Sequence, residues 1–208
     1  MHDTPRFLSA ALALAAGATL LACTATDDRP DPPDEVEAAA PPADADMMAR
    51  MMELATPGDA HAELTRMAGQ WDVHYRMRWT PDAEWMETTG QAEMKSLLGG
   101  RYMLESVKFE MMGTPMEGMN LMGYDKMKGE YTSLWADSMS TWWVTSRGKE
   151  QKDGSIDFRG TMVDVAGERP FRMVVRHESD DLIRGEMYDT IPPHGEIKVM
   201  EMTSKRRK

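Results

Sequence analysis

The chain has 208 residues, and its 35 acidic residues exceed its 24 basic ones, which gives a formal net charge of −11. This acidic balance argues against a nucleic-acid-binding protein, because such proteins usually carry a basic surface. Hydrophobic residues make up 41% of the chain, enough for a folded core, and the single cysteine excludes an intrachain disulfide and cysteine-based zinc sites.

The first 22 residues read as a signal peptide. Residues 7–21 carry no charge, and this stretch has the length of a signal-peptide apolar segment and is too short to span a membrane. Ala22 precedes Cys23, and this arrangement resembles the processing site of bacterial lipoproteins. The resemblance implies cleavage after Ala22 and a lipid anchor on Cys23, so the membrane is a predicted partner. Because Thr24 is not the Asp of an inner-membrane retention signal, we expect an outer-membrane location facing the periplasm.

Residues 23–46 are predicted to be a disordered linker. The segment 24–46 holds eight acidic residues and one arginine, is rich in proline and alanine, and has no aromatic residue. Such a segment cannot bury enough apolar surface to fold, and its charge keeps it extended. When the −7 of this segment is taken from the total of −11, about −4 remains for the predicted domain over 47–208.

Two short helices are predicted before the first strand. Residues 47–54 favour the first helix, with Asp46 as its N-cap. Residues 58–68 favour the second, with Asp59 as its cap and with Leu64 and Met67 spaced for one apolar face.

From Trp71 onwards the hydrophobic pattern has a period of two. Apolar residues occupy the odd positions of 71–79 and polar residues the even ones, which is typical of a strand with one buried face. No connection between the later segments is long enough for a crossover helix, and turn residues separate them. We therefore predict an all-β fold, an antiparallel β-barrel of about ten strands with a short N-terminal helix; a two-sheet sandwich is the alternative. The weaker alternating segments are 87–97, 102–112, 119–124, 130–137, 141–147, 155–165, 171–178, 182–190 and 196–203.

Several segments together resemble one bacterial family. They are LTRMAGQW at 64–71, LGGR at 98–101, MGTPMEG at 112–118, GYD at 123–125, WADSMST at 135–141 and MEMTSKR at 200–206. Their order and spacing over 59–206 are similar to the family called domain of unknown function 1579. The resemblance implies a lipocalin-like or nitrobindin-like barrel, and it implies no established activity.

A candidate ligand pocket lies in the segment 135–143. Trp135 and Asp137 share one face of a predicted strand, and Trp143 lies on the next one. Aromatic rings with a carboxylate supply apolar area and a polar contact for a ligand. Asp137 and Ser138 equally fit a tight turn, because Asp and Ser form local hydrogen bonds there.

Three further candidate ligand-binding residues lie on other strands: Tyr102, Glu105 and His177. Glu105 lies between apolar positions, and a buried charge is costly unless paired, so we expect it to pair with an inward arginine such as Arg184 or to bind a polar ligand group. His177 is in phase with apolar residues such as Met173 and is expected to point into the barrel. An inward His can hold haem iron, as in nitrobindin-like barrels. That family's haem pattern is absent, so a hydrogen-bonded interior His is favoured.

Methionine is unusually frequent, with 22 residues. Met116, Met119 and Met122 fall in one predicted loop region, and thioethers suit Cu(I). Methionine also fills irregular apolar space, which is the favoured explanation, and no metal or cofactor is predicted.

The sequence thus favours an envelope lipoprotein whose barrel binds a small apolar ligand. The alternative is a packed barrel that contacts other envelope proteins, and copper binding through methionine is a third hypothesis. An enzyme is a fourth, although the sequence holds no nucleophile motif, no phosphate-binding loop and no HExxH.

Overall fold

The computed structural model describes residues 45–165 and 167–208, so the predicted signal peptide, Cys23 and most of the predicted linker lie outside the described residues. Two helices precede ten strands in the described part of the chain. The helices are α1 (Ala45–Ala55) and α2 (Asp59–Arg66); the strands are β1 (Gly69–Met77), β2 (Met86–Leu97), β3 (Tyr102–Met111), β4 (Thr114–Asp125), β5 (Glu130–Asp137), β6 (Val144–Glu150), β7 (Ile156–Asp164), β8 (Gly167–Ser179), β9 (Leu182–Ile191) and β10 (Gly195–Arg206).

The ten strands form a closed antiparallel barrel. Each strand pairs with its neighbours in the chain, and β10 pairs with β1 to close the sheet, with Val73 opposite Ser204. Closure leaves no free strand edge, which removes a surface for unwanted pairing. The predicted barrel is confirmed, and the sandwich alternative is wrong.

The helix caps differ from the sequence prediction. Helix α1 begins at Ala45, so Asp46 lies in its first turn. In α2 the N-cap is Gly58, with Asp59 in the first turn, and the Gly58 N–H donates to Nδ1 of His61 at 3.1 Å. Glycine is accepted at an N-cap, and the His61 imidazole at N3 accepts the N-cap backbone N–H, as the N3 side chain does in a capping box.

Helix α2 packs across one end of the barrel, which we call the covered end; the opposite end, where β1 runs into β2, is the far end. Leu64 of α2 and its C-cap residue Met67 are 2% and 5% exposed and belong to the same core as Trp71 and Val73 of β1. The predicted apolar face of this helix is therefore confirmed. No helix within the described residues is long and apolar enough to cross a membrane.

By its internal contacts, Ala43–Lys208 forms one compact unit. This unit contains the closed barrel, both helices and every described core residue. Because its sheet has no open edge and its core is contained within it, this unit is expected to fold by itself.

Candidate functional site

The interior of the barrel is tightly packed at the covered end and accessible towards the far end. Trp71, Val73 and Met103 face inward and are at most 1% exposed. Many inward side chains nearer the far end are only partly buried, and in a closed barrel such side chains border space that admits water. We call this part the accessible half; it is lined by Phe109, Met111, Trp135, Ser146, Phe171 and Met187.

A chain of polar side chains forms the floor of the accessible half. Ser133 Oγ donates to Oδ1 of Asn120 at 2.7 Å, and the side-chain amide of Asn120 donates a hydrogen bond to the Glu105 carboxylate. Asn120 lies opposite Glu105 in the pairing of β3 with β4. Asn120 and Ser133 are partly exposed while Glu105 is 8% exposed, so the network runs from the accessible space into the core. We call these three residues the polar network.

Burial dominates the electrostatics of Glu105. Desolvation raises the pKa of its carboxyl from 4.5 to about 7, against the opposing effect of the hydrogen bond from Asn120. The pKa of Tyr75 is raised as well, first by burial and then by the nearby negative charge of Glu105. Burial therefore favours the protonated form of Glu105 at pH values where an exposed carboxyl is fully ionised.

The predicted pairing of Glu105 with an inward arginine is wrong. Within residues 45–165 and 167–208, no Lys, Arg or His forms an ion pair with Glu105. Arg184 lies on the outer face and pairs with Glu178 at 3.0 Å. The inward positions of β9 are the odd ones, since Ile183 lies opposite the inward His177. Arg184 is at an even position and therefore faces outward.

Trp135 and Asp137 meet each other at the far end of β5. The indole Nε1 of Trp135 donates to Oδ2 of Asp137 at 2.7 Å, and Oδ1 of Asp137 accepts the backbone N–H of Met139 at 2.9 Å. Asp137 thus both starts the β5–β6 turn and orients an inward indole ring. The hydrogen bond to Met139 fits the turn interpretation of this segment, and the ligand pocket stays a prediction.

A charged group that the sequence analysis missed lies on the inner wall. Arg169 Nε donates to both carboxylate oxygens of Asp189 at 2.9 Å, and its two terminal nitrogens donate to Asp164 at 2.8 Å. Asp189 is 7% exposed. The signal was present in the sequence, because Arg169 is in phase with Phe171 on a strand that begins four residues earlier than predicted.

Two predicted ligand-binding residues lie outside the barrel interior. Tyr102 is on the outer face of β3, where its ring covers Gly123 and remains 40% exposed. Trp143 lies in the β5–β6 connection and is 68% exposed, next to Trp142. The structure therefore brings Glu105, Trp135 and Asp137 into the interior and leaves Tyr102 and Trp143 on the surface.

The sequence matches the family described as "Protein of unknown function (DUF1579)" over residues 56–206. The chain belongs to this family. The resemblance drawn from the sequence segments is thus confirmed, and no curated protein matches the chain.

Solved structures with a similar fold are distant in sequence. The S-type phycobiliprotein lyase CPES from Guillardia theta is 11% identical, with a TM-score of 0.55 over 73% of this chain and 94% of the lyase. Rv2717c from M. tuberculosis is 10% identical, with a TM-score of 0.57 over 74% of this chain and all of that protein. At this identity the similarity shows the lipocalin-like barrel fold of the DUF1579 chain, and the fold alone does not fix a function.

His177 of this DUF1579 barrel points inward, as predicted, but at the covered end. It lies opposite Ile183, which is 3% exposed, and burial lowers the pKa of the His177 imidazole, with Arg66 of α2 also lowering it and Glu63 raising it. A haem ring on this imidazole would need the space filled by α2 and by fully packed residues such as Val73. The residues present therefore do not fit a haem group at His177.

The methionines of β4 do not form one cluster. The predicted loop is part of strand β4, whose alternation turns Met116 inward at 5% exposure and Met119 outward at 41%. Met122 faces inward with Met116, so the three sulfurs are divided between the two faces of the sheet. No group of three His, Cys, Asp or Glu within the described residues is placed to hold a metal ion.

Proposed function

We propose that the accessible half of the barrel binds a small, mostly apolar ligand. The observation that carries the proposal is the partial exposure of apolar inward residues such as Phe171 and Met187 towards the far end. Concave sites lined by apolar and aromatic side chains with a few polar groups are the usual form of small-molecule pockets. The polar network and Trp135 supply those polar groups here.

The sharpest test of this proposal is to fill the accessible half with a large side chain. Ser146 faces inward on β6 and is partly exposed, whereas Thr145 on the same strand faces outward. We expect native mass spectrometry of the protein from the envelope of a producing bacterium to show a bound mass that is lost on denaturation. We expect Ser146→Trp to remove it and Thr145→Trp to retain it. A folded Ser146→Trp variant that carries the same bound mass would contradict the proposal.

We further propose that the chain is an envelope lipoprotein, anchored in the outer membrane through Cys23 and facing the periplasm. The support is the apolar segment 7–21 followed by Ala22 and Cys23. Labelling of growing cells with a radioactive fatty acid is expected to mark the protein and not its Cys23→Ser variant. Label on the Cys23→Ser variant, or no label on the parent chain, would contradict the anchor.

A second candidate function is contact with another envelope protein. It is supported by exposed aromatic residues on connections at the far end, namely Trp79, Trp142 and Trp143. Tryptophan is enriched where interfaces are most tightly packed. Changing all three to Ser is expected to abolish capture of such a partner by crosslinking in cells, while leaving the bound small-molecule mass unchanged.

A further inference from the structure

The inner wall of the accessible half carries an excess of negative charge. Within the described residues, its inward ionisable side chains are four carboxylates and one guanidinium; they are Glu105, Asp137, Asp164, Asp189 and Arg169. The other inward basic side chains, His177 and Arg206, lie at the covered end. A cleft lined by one sign of charge concentrates ligands of the opposite sign, especially between low-dielectric walls.

Glu105 is the least satisfied of these four carboxylates. Asp137 accepts hydrogen bonds from an indole and from a backbone amide, and Arg169 binds both Asp164 and Asp189. Glu105 is more than nine-tenths buried. Within the described residues, Asn120 is the side chain whose hydrogen bond stabilises its negative charge. An ionised carboxylate accepts several hydrogen bonds, and a buried one without a cation is costly.

Aromatic faces surround the same part of the interior. The ring centroids of Tyr75 and Phe109 lie 4.8 Å apart. After the larger effect of burial, the nearby charge of Glu105 also raises the pKa of Tyr75. Trp135 lies opposite Asn120 of the polar network. The face of an aromatic ring attracts a cation, and this attraction strengthens when the cation is removed from water.

From these three observations we infer that the ligand is an amphipathic organic cation: an apolar chain in the accessible half, with a protonated amine or quaternary ammonium group at Glu105. The inference rests on the proposed function and adds the charge of the ligand to it. The apolar wall takes up the chain, and the ammonium group supplies the positive charge that the buried carboxylate lacks. An anionic amphiphile of the same length would meet the acidic wall and the Glu105 charge, and it is excluded by repulsion.

Three probes of equal length separate charge from apolar contact: dodecylamine, dodecanol and dodecanoate, each below its solubility limit and, for the two ions, below the micelle concentration. Binding is measured at pH 8 by titration calorimetry on the Ala43–Lys208 unit and repeated on the full chain. We expect the amine to bind at least about tenfold more tightly than the alcohol, because its ammonium group forms a charge-assisted hydrogen bond with Glu105, and dodecanoate to bind most weakly, because its carboxylate is repelled.

Glu105→Gln is the test variant, because glutamine keeps the shape and removes the charge. Glu110→Gln is its matched control, since Glu110 lies on the same strand and is exposed on the outer face. We expect Glu105→Gln to weaken amine binding at least about tenfold and to change alcohol binding by less than about threefold. Glu110→Gln is expected to change neither, and thermal melting of each variant verifies that it is folded.

The outcomes separate this inference from the proposed function. If none of the three probes binds, the proposed function fails and the inference fails with it. If dodecanol binds but the amine has no advantage, or if Glu105→Gln leaves amine binding unchanged, the apolar site stands and the cationic ligand is wrong. Tight binding of dodecanoate overturns the inference in the same way.

Discussion

The indole ring of Trp135 lies directly on the backbone of Gly118 in the neighbouring strand β4. A Cβ atom at Gly118 would be 2.5 Å from the ring and 3.3 Å from a methyl group of Val107. The same ring is held from its other side by the hydrogen bond of Nε1 to Asp137. The absence of a side chain at residue 118 therefore sets the position of an inward aromatic ring that borders the accessible half.

We expect Gly118→Ala to destabilise the barrel by about 1–3 kcal/mol, because the added Cβ overlaps the ring and the hydrogen bond to Asp137 resists its displacement. Gly123→Ala is the matched comparison on the same strand. Its Cβ would meet the ring of Tyr102 at 2.8 Å, but that ring is 40% exposed and can swing into solvent. Urea unfolding of both variants measures the difference, and equal losses would show that Trp135 is not confined.

The stability of the protein should depend on pH through Glu105. Its pKa is about 7 in the folded state and has the ordinary value of 4.5 when the chain unfolds. The folded state therefore holds a proton more tightly, and its stability decreases as the pH rises from about 4.5 to about 7. The loss from this group is on the order of 3 kcal/mol, complete above about pH 8.

Glu105→Gln removes this titration, so we expect the variant to be more stable than the parent at pH 8 and close to it at pH 4.5. Glu110→Gln, on the outer face of β3, serves as the control and should follow the parent at both pH values. Urea unfolding at the two pH values gives the comparison. A Glu105→Gln variant that is less stable than the parent at pH 8 contradicts the assigned pKa.

The strand pattern could be predicted from the sequence because one face of each strand meets the core. Strand β1 shows this most clearly: the odd positions from Trp71 to Met77 are all buried, as the alternation indicates. In β9 the signal was weaker, because both faces hold apolar and charged residues. Its inward glycine, Gly185, is packed against the methyl group of Met173, and a glycine adds nothing to a hydrophobic pattern.

The candidate site could be predicted only in part, because its chemistry depends on contacts between strands. The inward position of Glu105 followed from its apolar neighbours on β3, but its partner Asn120 belongs to another strand and required the register of β3 with β4. The Arg169 group brings together residues from β7, β8 and β9, and no sequence spacing indicates such a contact. Tyr102 faces outward because its parity on β3 is opposite to that of Glu105.

Arg169 is expected to be essential for the stability of the inner wall. Arg169→Met leaves Asp189 buried without its cation, and loss of one partner of a buried pair costs about 3–5 kcal/mol. Because Asp164 is 31% exposed, we expect the lower part of that range. Arg184→Met is the control, since Arg184 is 54% exposed and pairs with Glu178 on the surface. An exposed pair contributes at most about 1 kcal/mol.

A second change separates the charge from the packing of the arginine. In Arg169→Met combined with Asp189→Asn, the buried negative charge is removed together with its partner. We expect this double variant to recover part of the stability lost in Arg169→Met, measured by urea unfolding at pH 7. No recovery would show that the loss comes from packing of the arginine side chain and not from the unpaired carboxylate.

Arg206, at the end of β10, stabilises the packing of α2 on the covered end. Its guanidinium lies 4.3 Å from the centroid of Trp71 and donates to the backbone carbonyls of Ala68 at 2.7 Å and Arg66 at 2.8 Å. These carbonyls lie at the C-terminal end of the helix, where a cation is most favourable. Lysine cannot replace this contact fully, because it lacks the planar fork of donors.

We expect Arg206→Gln to speed amide hydrogen exchange in residues 59–68 by about tenfold or more, since the lost charged hydrogen bonds contribute about 1.5–3 kcal/mol. Arg207→Gln is the control, because Arg207 is exposed and contacts Asp72 at 3.4 Å on the outer face. Exchange in β3 and β4 should stay unchanged if α2 opens as a local unit. Equal acceleration throughout the barrel would mean that Arg206 stabilises the whole fold, and unchanged exchange in α2 would mean that its core contacts through Leu64 suffice.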